Sequence, residues 1–173
     1  HSLASSEYNK RRAECEEGVR IAATNEVGMK SLRDATIKQI EPYRAMMGEQ
    51  VYMRCEYVIE ENERVLATCK ALSDDNLEAV GVLMYQSHQG LQHKYQVSCA
   101  ELDCLVDAAK LAQGVLGSRM MGGGFGGCTI SLVKESAVEA FKKSLTDAFG
   151  QQFNRQPIFY DVTIGNGAGE VTE

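Results

Sequence analysis

Ser118-Arg119-Met120-Met121-Gly122-Gly123-Gly124-Phe125-Gly126-Gly127-Cys128 decides the fold of this chain, because five of the six positions from Gly122 to Gly127 lack a side chain. Glycine costs backbone entropy on ordering, so such a run belongs where the chain takes φ > 0 or where something approaches the backbone closely. Exposed N–H groups in a turn of this kind can cradle an anion. Gly122-x-Gly124-x-x-Gly127 also fits the dinucleotide fingerprint, but that motif must leave a strand, open a helix and meet an acidic residue about 20 positions on. Here the run leads into Thr129-Ile130-Ser131-Leu132-Val133, a strand composition with no helix start. A Walker loop is excluded, since no Gly-Lys-Ser or Gly-Lys-Thr occurs. The sequence predicts a glycine-rich connection between two strands, and the residues alone leave a tight packing turn and a phosphate cradle equally open.

Outward from the loop, the pattern is helical. Ser5 or Ser6 can cap a helix whose Tyr8, Cys15, Val19 and Ala22 share one face, ending near Asn25 to Gly28. Arg11 and Arg12, followed by Glu14, Glu16 and Glu17, read as a solvated face with short-range pairs. Thr36-x-x-Gln39 is a capping box for a short helix whose length Pro42 and Gly48 leave open. From Gln50 to Leu72, Val51, Cys55, Val58, Ile59, Val65, Leu66, Cys69 and Leu72 recur at helical spacing, with Arg54, Glu60, Glu61, Glu63 and Lys70 on a wet face. Ser73 or Asp74 caps a helix with Leu77, Val80, Met84 and Leu91 as its stripe, and His88 near its end gains from the helix dipole when charged. Ser98-x-x-Glu101 and Ser136-x-x-Glu139 are capping boxes for the helices flanking the loop. The first carries Leu102, Leu105, Val106 and Ala109 inward, the second Val138, Phe141, Leu145 and Phe149. Ile158, Tyr160, Val162 and Ile164 alternate with Phe159, Asp161 and Thr163, which predicts a third strand with one face in the core, followed by a glycine turn. One α+β unit over residues 1–173 accounts for the whole pattern.

Composition narrows the function classes. With 173 residues, 44% of them hydrophobic, the chain is large and apolar enough for one domain with its own core. Its 24 acidic and 18 basic residues give a formal charge of −6, with no dense basic stripe, so nucleic acid and anionic membranes are poor partners. No apolar run approaches the ~20 residues that span a bilayer and no signal-peptide pattern opens the chain, so the expected location is the cytoplasm. The six cysteines form no Cys-x-x-Cys and the three histidines no metal-ligand pattern, so the cysteines are expected to be reduced and mostly buried, with no metal site.

Residues Ser118 to Val133 resemble the third signature motif of galactokinases, within the family of galactose, homoserine, mevalonate and phosphomevalonate (GHMP) kinases. Leu3-Ala4-Ser5-Ser6-Glu7-Tyr8-Asn9 with Arg11-Arg12-x-x-Cys15-Glu16 resembles the segment that opens their C-terminal half. Val58 to Arg64, Ser87-His88, Tyr95-x-Val97-Ser98 and Gly165-x-Gly167-Ala168-Gly169 extend the likeness along nearly the whole chain.

That likeness implies the ferredoxin-like GHMP kinase C-terminal domain, a mostly antiparallel sheet covered by helices. It implies ATP-dependent phosphorylation of galactose to galactose 1-phosphate, with ATP, Mg2+ and the catalytic aspartate held in an N-terminal half outside these residues. The fragment alone is then expected to be inactive. A galactokinase-like galactose sensor and an N-acetylgalactosamine kinase are the alternatives. By resemblance, Tyr8 contacts the sugar, whereas its helical position alone favours a core tyrosine. Gly122, Gly123, Gly124, Phe125, Gly126 and Gly127 are implied to support the phosphate loop; Ser87-His88 is typical of the family, which gives neither residue a chemical role, so both are read as structural. Two departures stand out: Met121 replaces the usual Thr, losing a hydroxyl, and His93-Lys94 stands where galactokinases carry acidic residues.

Overall fold

The computed structural model describes residues 2–26, 28–165, 167 and 169. In chain order these form α1 (Ser2–Ala22), α2 (Ile37–Ile40), α3 (Arg44–Ser73), α4 (Leu77–Gly90), α5 (Ala100–Leu111), β1 (Val115–Met121), β2 (Cys128–Val133) and α6 (Val138–Phe153). A π-helical turn, Leu91–Tyr95, joins α4 to the segment before α5. The strands pair antiparallel from Val115 opposite Val133 to Met121 opposite Cys128, so the glycine run closes a hairpin, as the β-branched residues after it predict.

Among the described residues, three apolar clusters hold the elements. Ile21, Ala22, Ile40, Tyr52, Cys55 and Ile59 bind α1 and α2 to α3. Tyr57, Leu91, Val97, Leu102 and Met120 lie beneath the glycine loop. Ala108, Ala109, Phe141 and Leu145 join α5 to α6. α4 presses on β1 where both lack a side chain: a Cβ on Gly81 would fall 2.0 Å from the Leu116 carbonyl oxygen. Burying each large apolar side chain contributes about 1.5–3 kcal/mol.

The α+β class holds, and so do the inward faces of α5 and α6 at Leu102, Val106, Ala109, Phe141, Leu145 and Phe149. At Thr36 the reach-back half of the capping box forms, Gln39 Oε1 accepting the Thr36 N–H at 2.9 Å. The other helix starts move. α1 runs back to Ser2, so Ser5 and Ser6 lie inside it. Ser73 is spent on the Cys69 carbonyl and Asp74 on Lys70, so Asn76 caps α4, accepting the Ala79 N–H at 3.0 Å. Cys99 starts α5, because the Ser98 hydroxyl goes to Asp103 and Glu101 to Arg155. Ser136 falls in a 3-10 turn, Glu135–Ala137, ahead of α6. The late apolar residues of α3, Val65, Leu66, Cys69 and Leu72, are exposed rather than in the core.

Residues 158–164 do not form the expected third strand, and among the described residues the sheet has two strands. A period of two sorts side chains onto two faces, but a ladder needs an edge opposite it. Phe159 packs against the α5–α6 cluster, while Ile158, Tyr160, Val162 and Ile164 are exposed. The glycine turn expected over 165–169 falls partly outside the described residues.

Candidate functional site

The centre of the glycine loop is docked and its flanks are open. Phe125 donates its backbone N–H to the Val97 carbonyl at 2.7 Å, and its ring joins the cluster of Tyr57, Leu91 and Met120. Gly124 has φ +85°, and a Cβ there would lie 2.2 Å from that same Val97 oxygen. The close approach that requires glycine at 124 is therefore made by the chain itself, since a side chain would push the loop off Val97. At Gly122, Gly123, Gly126 and Gly127 an added Cβ would meet nothing within 4 Å.

The turn that leads into Val97 is held by two buried arginines. Gln96, in the left-handed region at φ 55°, turns the chain out of the π-helical turn and leaves its carbonyls without helical partners. Arg11 of α1 donates from Nε to the Tyr95 carbonyl at 2.7 Å and from Nη2 to the Gln96 carbonyl at 2.9 Å. Arg54 of α3 donates to the Lys94 carbonyl and to Gln96 Oε1. Glu14 balances both cations, 3.1 Å from Arg54 Nε and 3.6 Å from Arg11 Nη1. Arg11 is 6% and Arg54 1% exposed, so neither lies on the wet face that neighbouring charges suggest. Charge-assisted bonds of this kind are roughly twice as strong as neutral ones, which is how burial of two guanidinium groups is tolerated.

Arg11 also ties α1 to the loop, its guanidinium carbon lying 6.0 Å from the Phe125 ring centre. Tyr8 stands three residues before Arg11 on α1 and is 59% exposed, which excludes the core-tyrosine alternative. The helix bearing Tyr8 and the glycine hairpin are thus brought into one assembly. Met121 is half-exposed at the end of β1 and lines a groove of about 710 Å3 with Phe125, Gly126, Gly127 and Cys128. Lys94 brings no free positive charge: its Nζ meets Glu56 at 2.7 Å and Glu60 at 2.6 Å. Burial opposes the Lys94 charge, yet these two carboxylates outweigh it and raise the ammonium above its ordinary value.

Behind the hairpin, His88 braces β1. Its Nδ1 accepts the Met120 N–H at 3.2 Å and its Nε2 faces Asp103 Oδ1 at 3.3 Å. Burial pushes its pKa below the ordinary histidine value, against the pull of Asp103 and Asp107, so it stays neutral near pH 7 and draws nothing from the helix dipole. Ser87 is likewise buried, donating to Glu61 at 2.6 Å.

Sequence reading passed over Arg11, Arg54 and Val97. The signal was present for the arginines. Arg11 shares a helical face with Cys15, Val19 and Ala22, and Arg54 shares one with Val51, Cys55 and Val58. The periodicity that located the cores of α1 and α3 also points both arginines inward.

Residues 68–151 match the family model described as GHMP kinases C terminal. The chain is 39% identical over 171 residues to a galactokinase of Thermosipho africanus, covering 99% of this chain and 46% of that protein. It is also 39% identical over 170 residues to a galactokinase of Fusobacterium nucleatum, covering 98% and 44%. The fold superposes on Lactococcus lactis galactokinase complexed with galactose with a TM-score of 0.87 and 34% identity, over 94% of this chain and 42% of that one. The chain spans about half the length of the curated relatives it matches.

Proposed function

We propose, from the premise that the chain carries a GHMP kinase C-terminal domain, that its 173 residues are the C-terminal half of a cytoplasmic galactokinase. The observation that carries this reading is the 39% identity to a galactokinase over 99% of the chain. The reaction is ATP-dependent transfer of the terminal phosphoryl group to galactose, giving galactose 1-phosphate. Mg2+, when bound, neutralises charge on the phosphates. ATP, the metal and the residue that orients the sugar hydroxyl belong to the rest of the enzyme.

This chain's residues contribute position and polarity. The flanks of the glycine loop offer backbone N–H groups with no side chain in the way, and such groups stabilise negative charge developing in phosphoryl transfer. Docking on Val97 fixes the loop before substrate arrives, so no reorganisation is needed at the moment of reaction. Tyr8, exposed on the helix that Arg11 anchors, reaches a galactose hydroxyl through its phenolic O–H.

The experiment joins the chain to the N-terminal half of the Thermosipho africanus galactokinase and follows ATP consumption with galactose, N-acetylgalactosamine or neither. Turnover specific to galactose is the expected outcome. Turnover with N-acetylgalactosamine alone, or galactose binding without turnover when the grafted half is active with its own partner, replaces the proposal with one of the two alternatives. In the active chimera Tyr8→Phe is expected to raise the galactose KM roughly three- to tenfold, the loss of one hydrogen bond of about 0.5–1.5 kcal/mol, without lowering Tm. An unchanged KM removes Tyr8 from the sugar site.

A further inference from the structure

Two backbone amides, one ahead of the glycine run and one within it, are held from a single dipeptide, Val97-Ser98. Val97 supplies the carbonyl that accepts the Phe125 N–H at 2.7 Å. Ser98 donates its hydroxyl to Asp103 Oδ1. That oxygen lies 3.3 Å from His88 Nε2, and His88 Nδ1 accepts the Met120 N–H at 3.2 Å. Gln92, in the π-helical turn, donates to the other oxygen of Asp103 at 2.8 Å. Met120 is fully buried, so its amide has no water to turn to, and the ring of His88 sets where the loop begins.

The bond to Met120 also fixes the state of that ring. An imidazole nitrogen accepts only when it carries no proton, so Nδ1 is bare and the proton of the neutral ring sits on Nε2, facing Asp103. Which nitrogen holds the proton is set by the partner of the other one. Asp103, itself oriented by Ser98 and Gln92, accepts from Nε2 and leaves the Nδ1 lone pair to β1. The opposite tautomer, or a doubly protonated ring, would aim an N–H at the Met120 N–H and push the start of the loop away.

We propose that His88 is a positioning residue for phosphoryl transfer, holding the entry of the glycine loop through the Met120 amide in register with the centre that Val97 holds. Its part in turnover rests on the kinase reading above, whereas the brace and the loop it holds both lie in this chain. Between the two anchors, an added Cβ at Gly122 or Gly123 would meet nothing within 4 Å. Side-chain packing therefore does not define the path of those residues, and the anchored ends must. With Met120 released, the run pivots about Phe125, and the backbone N–H groups of its flank lose the fixed direction that stabilising a developing charge requires.

The test begins with the 15N spectrum of the imidazoles near pH 7, where His88, assigned by its absence in His88→Leu, is expected to show a bare Nδ1 and a protonated Nε2. Two variants then separate bracing from bulk. His88→Leu fills the space without an acceptor, and His88→Asn keeps a side-chain oxygen near the place of Nδ1. Hydrogen exchange at Met120 and Phe125 is expected to quicken about tenfold in His88→Leu, as for a buried donor left unpaired, and to return close to the wild-type rate in His88→Asn. In the chimera with a galactokinase N-terminal half, kcat is expected to fall about tenfold in His88→Leu, with the galactose KM within about twofold of wild type, and to recover in His88→Asn. A wild-type chimera without turnover counts against the kinase reading, and the spectrum and the exchange rates then decide the brace by themselves. A protonated Nδ1, Phe125 exchange unchanged in His88→Leu, or equal loss of turnover in the Leu and Asn variants overturns the proposal.

Discussion

The turn at residues 94–97 and the C-terminal segment at 157–165 invert each other's sequence pattern. The turn is ringed by arginines, glutamates and bare carbonyls and is itself only partly buried, yet it is held from two helices by buried arginines. The C-terminal segment alternates Ile158, Tyr160, Val162 and Ile164, yet these side chains are 72% to 101% exposed and no strand pairs with them. Burial follows the partners that the fold brings opposite a residue, and polarity decides only how much must be satisfied on arrival. Where every carbonyl and cation finds a complement, a polar turn becomes the most determined part of the site. Where the opposing edge is missing, an apolar stripe specifies nothing.

Removing one arginine attacks the comparison at its strongest point. Arg54→Met keeps the stem's volume but leaves the Lys94 carbonyl and the Gln96 side chain without their donor and Glu14 with one cation fewer. Losing one partner of a buried ion pair costs about 3–5 kcal/mol, and the low end applies because Glu14 keeps Arg11 and Gln50. Urea unfolding should show the loss as a lower midpoint with an unchanged slope. A shift below roughly 0.5 kcal/mol would mean that the turn holds itself without the clamp.

The next effect is more local. In Gly124→Val the new side chain meets the Val97 oxygen and must also adopt φ +85°. Overpacking of this sort costs about 1–3 kcal/mol, and the loop is expected to escape by leaving Val97 rather than by unfolding the hairpin. Hydrogen exchange separates the two: the Phe125 amide should lose protection while the β1–β2 ladder amides keep theirs. Equal loss at both would show that docking and hairpin are one cooperative unit.

Much of this molecule was legible in advance, and the gaps have a common cause. The hairpin followed from a glycine run leading into Thr129-Ile130-Ser131-Leu132-Val133, and the buried cores of α5 and α6 from helical spacing, because both patterns are local. The caps failed where a candidate hydroxyl had a competing partner, as Ser98 has in Asp103 and Ser73 in the Cys69 carbonyl. Arg11 and Arg54 were misassigned because neighbouring glutamates suggest local pairs, whereas their main backbone acceptors lie 40 or more positions away. The third strand failed for the same nonlocal reason, since no sequence period states which edge will stand opposite.

A pH series sharpens the comparison from behind the loop. His88 binds no proton in the folded state near neutrality, and burial keeps its folded pKa below the unfolded value of about 6.5. Between those two values the unfolded chain holds more protons than the folded one. Stability is therefore complete above about pH 6.5 and falls as pH drops toward the folded pKa, by at most about 1.36 kcal/mol per pH unit for one group. His88→Gln, whose amide can accept from Met120 and donate to Asp103 without titrating, should flatten the curve between pH 7 and 5.5. A wild-type curve no steeper than the variant's would remove His88 as the source.

The smallest effect belongs to the exposed segment, and it decides whether an apolar stripe without an edge is energetically silent. Val162 is 78% exposed, so Val162→Ser removes two methyl groups that are mostly in water already. Its expected cost lies within about 0.5 kcal/mol, as for surface positions generally. Fully burying a valine against a neighbouring strand contributes about 1.5–3 kcal/mol, so a paired segment would announce itself by a loss several times larger. Measuring the variant in this chain and again in the chimera with a galactokinase N-terminal half separates the two states. Silence in both means that the alternation of Ile158, Tyr160, Val162 and Ile164 is surface in every context, while a loss in the chimera alone means that the joined half supplies the edge that the stripe lacks here.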